Sequence, residues 1–527
     1  MQKNEYALAI DLGTTNSVGY LYDGREYRLV DVDNDNLVPS CVQYKNDGNV
    51  VCGQAAFSAR GRPGNIVIMN SKRLIGKEFN RKEVQTVMKN CGVDIVDRFG
   101  KPAFHVYKKG KFDKYVTPVE VASIIVKKIV DRANEITRKK LGKILVTIPA
   151  NFDSNQRTAT RQAVENVVRE YGIRKDKIKV INEPTAAAIC YGLDSDLNRH
   201  CRILVYDFGG GTFDCSILEI NHGSINVIAH DGNPELGGSD CDKAIADDLR
   251  KLYKETTGED CFADIPEERM TASYRVLLSY ACDIKEILSS VYVVDVNISG
   301  LFNLRGDDDD DDDDFEYTRD QMNLALQPIL DQTEAVIDRI LDDNGFSIND
   351  IDTVILVGDS SKLVCARDML NRKFGNKRVS KDIDPDTCVA HGGCKYLVKD
   401  GPTPVTIEER IPFSLGIEIA DNRVQWIIPK NTKLPTTLET TVTTTQDNHK
   451  YVSSCVIQGR SETTNIESIH EPEHVYLPEY SYSGFRIAPK GVPHLRTIFR
   501  YEQSGIVHIT VIEEETDKTL FDEDIEF

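Results

Sequence analysis

Ile10-Asp11-Leu12-Gly13-Thr14-Thr15 and Tyr206-Asp207-Phe208-Gly209-Gly210-Gly211-Thr212 are the two stretches that decide the fold. Each is an apolar run that ends in an aspartate and passes into a tight turn rich in glycine or threonine. Small residues let backbone N–H groups approach phosphate oxygens closely, and threonine hydroxyls add donors. An aspartate at each strand end is suited to hold a hydrated Mg2+ that neutralises the same phosphates. Two such turns, far apart in the chain, imply two similar lobes clamping one nucleotide. No GxxxxGK[ST] sequence is present, so the design is not a P-loop.

Outward from these turns, strands alternate with helices up to about residue 400. YALAIDL, KILVTIP, CRILVYDF and TVILVG are short and apolar, as buried strands are. Thr117, Pro118 and Glu120 read as a capping box with proline at the first helical position. The stripe Val121, Ile125, Ile129, Ala133 and Ile136 gives the following helix one apolar face. After about residue 404 the character changes. VQWIIP, TTVTTT, VSSCVI, LRTIFRY and IVHITVI are rich in β-branched residues and separated by turn clusters, which predicts an all-β module. The join, GPTPVTIEERIP, is proline-containing and charged.

A chain of 527 residues is long enough for about three domains. With 40% apolar and 28% charged residues it is not disordered as a whole. The net charge of −20 argues against a broad nucleic-acid surface, so neither nucleic acid nor membrane is expected as a partner and phosphate is expected in a local pocket. The run Asp307 to Asp314 reads as a solvated loop, because consecutive aspartates lack the spacing and turn glycine of a calcium loop. Thirteen cysteines without a CxxC pair read as reduced thiols. There is no secretory leader, no membrane-spanning run and no C-terminal retention signal, and the expected location is cytoplasmic. His470-Glu471-Pro472-Glu473-His474 fits the HExxH zinc pattern, but Pro472 breaks the helix that pattern needs.

AIDLGTTNS, VYDFGGGTFD, VTIPANFDSNQR, INEPTAAAICYGL, ELGGSDCD and SKRLIGK together resemble the ATPase domain of the seventy-kilodalton heat-shock (DnaK-type) chaperones. PFSLGIEI, IPKNTKLPT, IQGR and APKGVPHL resemble the same family's peptide-binding sandwich. The resemblance implies an α/β, actin-like (ribonuclease-H-like), two-lobed ATPase domain over 1–403, a linker at 404–411 and a β-sandwich over 412–527. It implies ATP or ADP with Mg2+, slow hydrolysis, and extended apolar polypeptide clients, with a J-domain cochaperone and a nucleotide-exchange factor as partners.

Site residues carry over where the motifs match. Asp11 and Asp207 correspond to aspartates that hold Mg2+ through water, and Asp214 belongs to the same site. Gly13, Thr14, Thr15, Gly209, Gly210, Gly211 and Thr212 form the phosphate turns. Lys72 corresponds to the lysine near the γ-phosphate and Glu183 to the carboxylate near the attacking water. Gly237, Gly238, Lys285, Ser289, Gly358, Ser360, Lys362 and Asp386 complete the nucleotide contacts. Pro149 and Arg157 match the relay to the peptide domain. Ile417, Ile419, Val442 and Val452 match the peptide cleft, with Ala420 and Thr445 as the arch over it. Lys179, Asn182, Thr185 and Glu409 match the J-domain surface.

The chain also departs from the pattern. Asp359 replaces a glycine that lies against the nucleotide and is expected to weaken ATP binding. Lys362 replaces an arginine that stacks on adenine. Cys282 and Glu286 stand where an acidic ribose ligand and a second stacking arginine are expected, and a register one residue on offers Asp283 as the alternative for that acid. The linker Val405-Thr406-Ile407-Glu408-Glu409-Arg410 has two apolar anchors and is expected to dock weakly. The chain ends at Phe527, before the family's helical lid, which implies rapid peptide release. The alternative reading is a weakly or non-hydrolysing cochaperone or exchange partner that keeps the fold as a binding platform. A small-molecule kinase on the same fold is disfavoured by the sandwich.

Overall fold

A computed structural model describes residues 4–45, 47–60, 65–91, 93–108, 110, 112–194, 200–221, 223–263, 265–302, 314–398, 406–459, 466–468, 474–502 and 505–525. Asp307 to Asp313 and His470 to Glu473 lie outside them, so neither the aspartate run nor the HExxH reading meets an observation.

The first quoted turn follows the strand Glu5–Leu12, which pairs parallel with Lys140–Ile148 and antiparallel with Asn16–Tyr22. Lys140–Ile148 in turn pairs parallel with Ile178–Asn182, which forms the sheet edge. The second turn follows Cys201–Phe208, paired parallel with Thr353–Val357 and antiparallel with Phe213–Asn221. A strand, its hairpin partner and a parallel neighbour are thus repeated in two mixed sheets. Each sheet has its own core: Leu8, Ile10, Val146 and Ile129 in the first, Leu204, Tyr206, Phe213 and Leu356 in the second. The central strands are apolar on both faces because helices cover both.

The helix Pro118–Thr137 starts as its sequence predicts. The Thr117 hydroxyl accepts from the Glu120 N–H, and the Glu120 carboxylate accepts from the Thr117 N–H at 2.7 Å. Val121, Ile125, Ile129 and Ala133 are buried, with Ile136 packed at the margin of the same core. Such a cap stabilises by about 1 kcal/mol, and the buried stripe contributes more.

The described residues beyond 408 form a five-stranded and a four-stranded antiparallel sheet, with a two-stranded pair of Tyr451–Ser454 and Tyr480–Ser483, around a core that includes Leu415, Ile417, Val456, Phe499 and Ile509. One sheet contains Ser414–Ile419, Arg423–Ile428 and Val456–Gly459, and the other contains Thr436–Val442, Leu495–Tyr501, Val507–Glu513 and Lys518–Asp524. Two readings shift in detail. TTVTTT leaves its sheet at Val442, and VSSCVI is broken at Cys455 into Tyr451–Ser454 and Val456–Gly459. Among the described residues no helix is long and apolar enough to cross a membrane.

The segment read as a linker meets the second sheet at residues 406–408. Thr406–Glu408 is a strand paired parallel with Ser224–Asn226 at the edge of the second sheet, and Ile407 is buried there. The expectation of weak docking counts apolar anchors alone. Backbone pairing and the buried Glu409 carboxylate supply the rest: it accepts from Asn182 Nδ2 at 2.8 Å and from Thr185 Oγ1 at 2.5 Å. Beyond the linker, the sandwich rests on the N-terminus of helix Ser154–Val168. The Ser154 N–H donates to Gln458 Oε1 at 2.9 Å, and Gln458 Nε2 donates to Tyr501 Oη at 2.8 Å and to Ser154 Oγ at 3.0 Å. Asn155 Nδ2 donates to the Tyr476 carbonyl at 3.0 Å.

Candidate functional site

The two turns meet. A Cβ on Gly210 would fall 1.7 Å from Thr15 Oγ1, and one on Gly211 would fall 2.8 Å from Thr14 Cγ2. One on Gly13 would lie 1.9 Å from the Asn16 carbonyl oxygen. The second turn is fixed from three sides. Gly209 N–H donates to the Thr212 carbonyl at 3.1 Å. Gly238 N–H, at the start of helix Gly238–Thr257, donates to the Gly209 carbonyl at 2.9 Å, with Gly237 packed against Gly211. Ser360 Oγ donates to the Gly209 carbonyl at 3.0 Å. Gly358 sits at φ 81°, where a side chain would be strained and would meet the Phe208 carbonyl.

Behind the turns lies a buried charge cluster. Lys72, on the single turn Ser71–Arg73, donates to Glu183 Oε1 at 2.9 Å. Asp207 and Asp214 face each other across a hairpin. Thr147 Oγ1 donates to Asp11 at 3.0 Å and Asn151 Nδ2 to Asp214 at 2.6 Å. One ammonium serves four carboxylates. Burial, then the charge of Glu183, pushes Asp11 and Asp214 up to about 7 and holds Asp207 well above the usual range. Burial works against the Lys72 charge, yet Glu183 and Asp11 hold the ammonium above its ordinary value. A pocket with this excess of negative charge is suited to a cation. Among the described residues no three His, Cys, Asp or Glu side chains converge closely enough to ligate an ion directly.

The turns open on a cleft of about 1420 Å³ whose lining includes Asn16, Lys285, Ser289, Asp359 and Lys362. Here the departures from the family pattern acquire partners. Asp359 accepts from Asn16 Nδ2 at 2.5 Å and pairs with Lys362 at 3.3 Å. Lys362 also donates to Asp386 at 2.7 Å, so one ammonium is shared by two carboxylates. Burial and the Asp359 charge push Asp386 up to about 6. Lys285 forms a half-buried pair with Asp242 at 2.6 Å, and Ser289 Oγ donates to the Lys285 carbonyl at 3.0 Å. Asp283 pairs with Arg60 at 2.6 Å. Glu286 is 3.8 Å from Cys282 Sγ, and burial raises its carboxyl.

Several residues that hold the site escape the sequence reading. Arg73 donates to the Gly211 carbonyl at 2.7 Å and to Asp240 at 3.1 Å, tying the first lobe to the second turn. Asn16, Thr147 and Asn151 each fix one acidic group. Arg73 adjoins Lys72 in SKR, a local signal. The other three carry none, because their partners are distant in sequence.

Pro149 follows the strand that carries Thr147. Arg157 is buried and donates to the carbonyls of Phe152 and Ala150 at 2.8 and 2.9 Å and to Asn182 Oδ1 at 3.0 Å. Gly505 of the sandwich packs against it: a Cβ there would lie 2.5 Å from Arg157 Cδ. Lys179 is exposed, whereas Asn182, Thr185 and Glu409 are buried in mutual hydrogen bonds, so that foursome is not a continuous open surface. Ile417 is inside the sandwich core, Ile419, Val442 and Val452 lie at its margin, and Ala420 and Thr445 are exposed.

The Hsp70 protein family model matches residues 7–524. Among curated relatives, a ribosome-associated molecular chaperone of Eremothecium gossypii is 31% identical over 523 residues, covering 97% of this chain and 81% of the relative. A heat shock 70 kDa protein of Neurospora crassa is 30% identical over 524 residues, covering 97% and 76%. The ribosome-associated molecular chaperone SSB of Candida glabrata is 31% identical over 523 residues, covering 97% and 81%.

Proposed function

Because the chain belongs to the Hsp70 family of molecular chaperones, we propose that it binds MgATP between two actin-like lobes, hydrolyses it slowly, and uses the cycle to hold and release extended apolar polypeptide in its sandwich. The proposed division is an ATPase unit over 1–403, a linker at 404–411 and a peptide-binding unit over 412–527. The observation that carries the reading is the Lys72–Glu183 pair among Asp11, Asp207 and Asp214, behind two interlocked glycine–threonine turns. In this reading the turns cradle phosphate, the aspartates hold water on Mg2+, and Lys72 offsets charge developing on the transferred phosphoryl group. Glu183 orients the attacking water. Arg157 and the linker strand carry the state of the cleft to the sandwich, where strand edges give an extended segment backbone hydrogen bonds.

The adenosine side favours a second reading, a weakly or non-hydrolysing partner. Lys285 and Lys362 are both committed to carboxylates, and Glu286 stands where the family uses an arginine. Single-turnover hydrolysis of ATP by the wild type and by Lys72→Ala separates the two. A measurable rate that falls at least about 100-fold in the variant supports the enzyme; equal rates remove it.

A further inference from the structure

At one end of the sandwich three loops, 420–422, 443–450 and 484–494, come together. Ser414–Ile419 and Thr436–Val442 run into them, and Tyr451–Ser454 and Leu495–Tyr501 run out. The Glu418 N–H donates to the Cys455 carbonyl at 3.0 Å, which sets the first loop beside Tyr451–Ser454. The Gly491 N–H donates to the Thr444 carbonyl at 3.1 Å and the Asn448 N–H to the Ala488 carbonyl at 2.9 Å, tying the second loop to the third. Ile419, Val442 and Val452, matched by sequence to a peptide cleft, lie at this end on the margin of the core.

This end holds hydroxyls that the fold does not use. Thr444 is 2% exposed and Tyr482 5%, and among the described residues neither Thr444 Oγ1 nor Tyr482 Oη has a hydrogen-bond partner. Both stand beside the cleft residues: Thr444 follows closely on Val442, and Tyr482 is the register partner of Val452. Thr497, opposite Thr440 and farther from the loops, is another buried hydroxyl without a partner among the described residues. Other tyrosines of this core are provided for. Tyr480 is bonded to Ser454, and Tyr501 Oη accepts from Gln458 Nε2 at 2.8 Å. Phenylalanine and valine would fill the places of Tyr482 and Thr444 with the same shape and no unpaired hydroxyl. Packing therefore does not account for these two residues.

We propose that this end of the sandwich selects an extended apolar segment carrying one uncharged amide or hydroxyl side chain, which Tyr482 and Thr444 hydrogen-bond. Such selection rests on the peptide-binding reading above and adds the chemistry of the side chain that is taken. A hydroxyl both donates and accepts, so asparagine, glutamine, serine or threonine completes both groups. A leucine or valine leaves them buried and unpaired. A charged side chain brings its charge among Val442, Val452 and Phe485, where two hydroxyls do not offset it. Thr445, the residue after Thr444, is exposed, so the buried Thr444 hydroxyl is one residue from the surface along which a bound segment runs.

The test is fluorescence anisotropy of the full chain with labelled, extended apolar peptides that differ at one central residue, asparagine against leucine and threonine against valine. Each pair is matched in shape. The polar member should bind about 5- to 100-fold more tightly. Tyr482→Phe and Thr444→Val should each cut that preference at least about 3-fold, with melting temperatures equal to or above that of the wild type. Equal affinities within both pairs, or preference for the apolar member, would overturn the proposal while leaving peptide binding in place. So would a preference that both variants keep, or a melting temperature lowered by Tyr482→Phe, which would show that the fold itself uses the hydroxyl. Binding of none of the four peptides, nor of an unfolded protein, would remove the peptide-binding reading and this selection with it.

Discussion

Asp359 offers the sharpest quantitative test of the cleft. Its carboxylate and that of Asp386 share the Lys362 ammonium, at 3.3 and 2.7 Å, which leaves one net negative charge beside the phosphate turns. At about 5–6 Å from one phosphate charge, with an effective dielectric near 20, the repulsion is about 3 kcal/mol. The Asp359 side chain is 32% exposed, and screening by solvent reduces the figure to roughly 1–2 kcal/mol. Asp359→Asn removes the charge, keeps a polar group for Asn16 and leaves Lys362 wholly to Asp386. Isothermal titration of ATP in the presence of Mg2+ should then show affinity about 5- to 30-fold tighter than in the wild type. Asp359→Gly should behave similarly. The gain should shrink in about 1 M salt, where the screening length is about 3 Å. Unchanged or weaker binding in both variants would refute the electrostatic reasoning.

Lys72→Met leaves Glu183 buried without its cation and should destabilise the protein by about 3–5 kcal/mol in denaturant titration at neutral pH. Gln458→Ala strips Ser154 and Tyr501 of a buried partner; it should loosen the sandwich by about 1–3 kcal/mol and speed proteolysis near residue 405, and an unchanged cleavage rate would count against the docked arrangement. His508 lies between Asp524 at 2.9 Å and Asp522 at 3.1 Å, with Arg500 opposite it on the next strand. Burial opposes its charge, but both carboxylates raise its ionisation above the usual histidine value. Since the folded state binds the proton more tightly, that stabilisation is complete below about pH 6.5 and is lost as pH rises through the folded value. Urea midpoints should fall across that window by an amount worth under about 1 kcal/mol, and His508→Gln should flatten the slope.

The parts of this molecule legible in its sequence are those whose causes are local. A strand that ends in aspartate before glycines announces its turn, and Thr117 with Glu120 announces a helix start, because each signal lies within a few residues. Asp359 illustrates the limit. Its chemistry is evident, but its partner Asn16 sits 343 positions away, so the sequence shows a repulsive charge and not one already bonded. The strand Thr406–Glu408 is not legible for the same reason: its partner, Ser224–Asn226, is distant in sequence.

The seam between the first lobe and the sandwich is made of hydroxyls, amides and carbonyls, Ser154 with Gln458 and Tyr501, and Asn155 with Tyr476. Two bodies joined by oily surface part only by wetting it, and once parted they stick to whatever is near. Groups of this kind exchange one another for water at nearly even terms, about 1 kcal/mol per hydrogen bond. Parting these particular hydrogen bonds therefore costs little and exposes polar groups. For the proposed cycle of holding and releasing apolar polypeptide, polar contacts at this seam are the ones that can be remade in water.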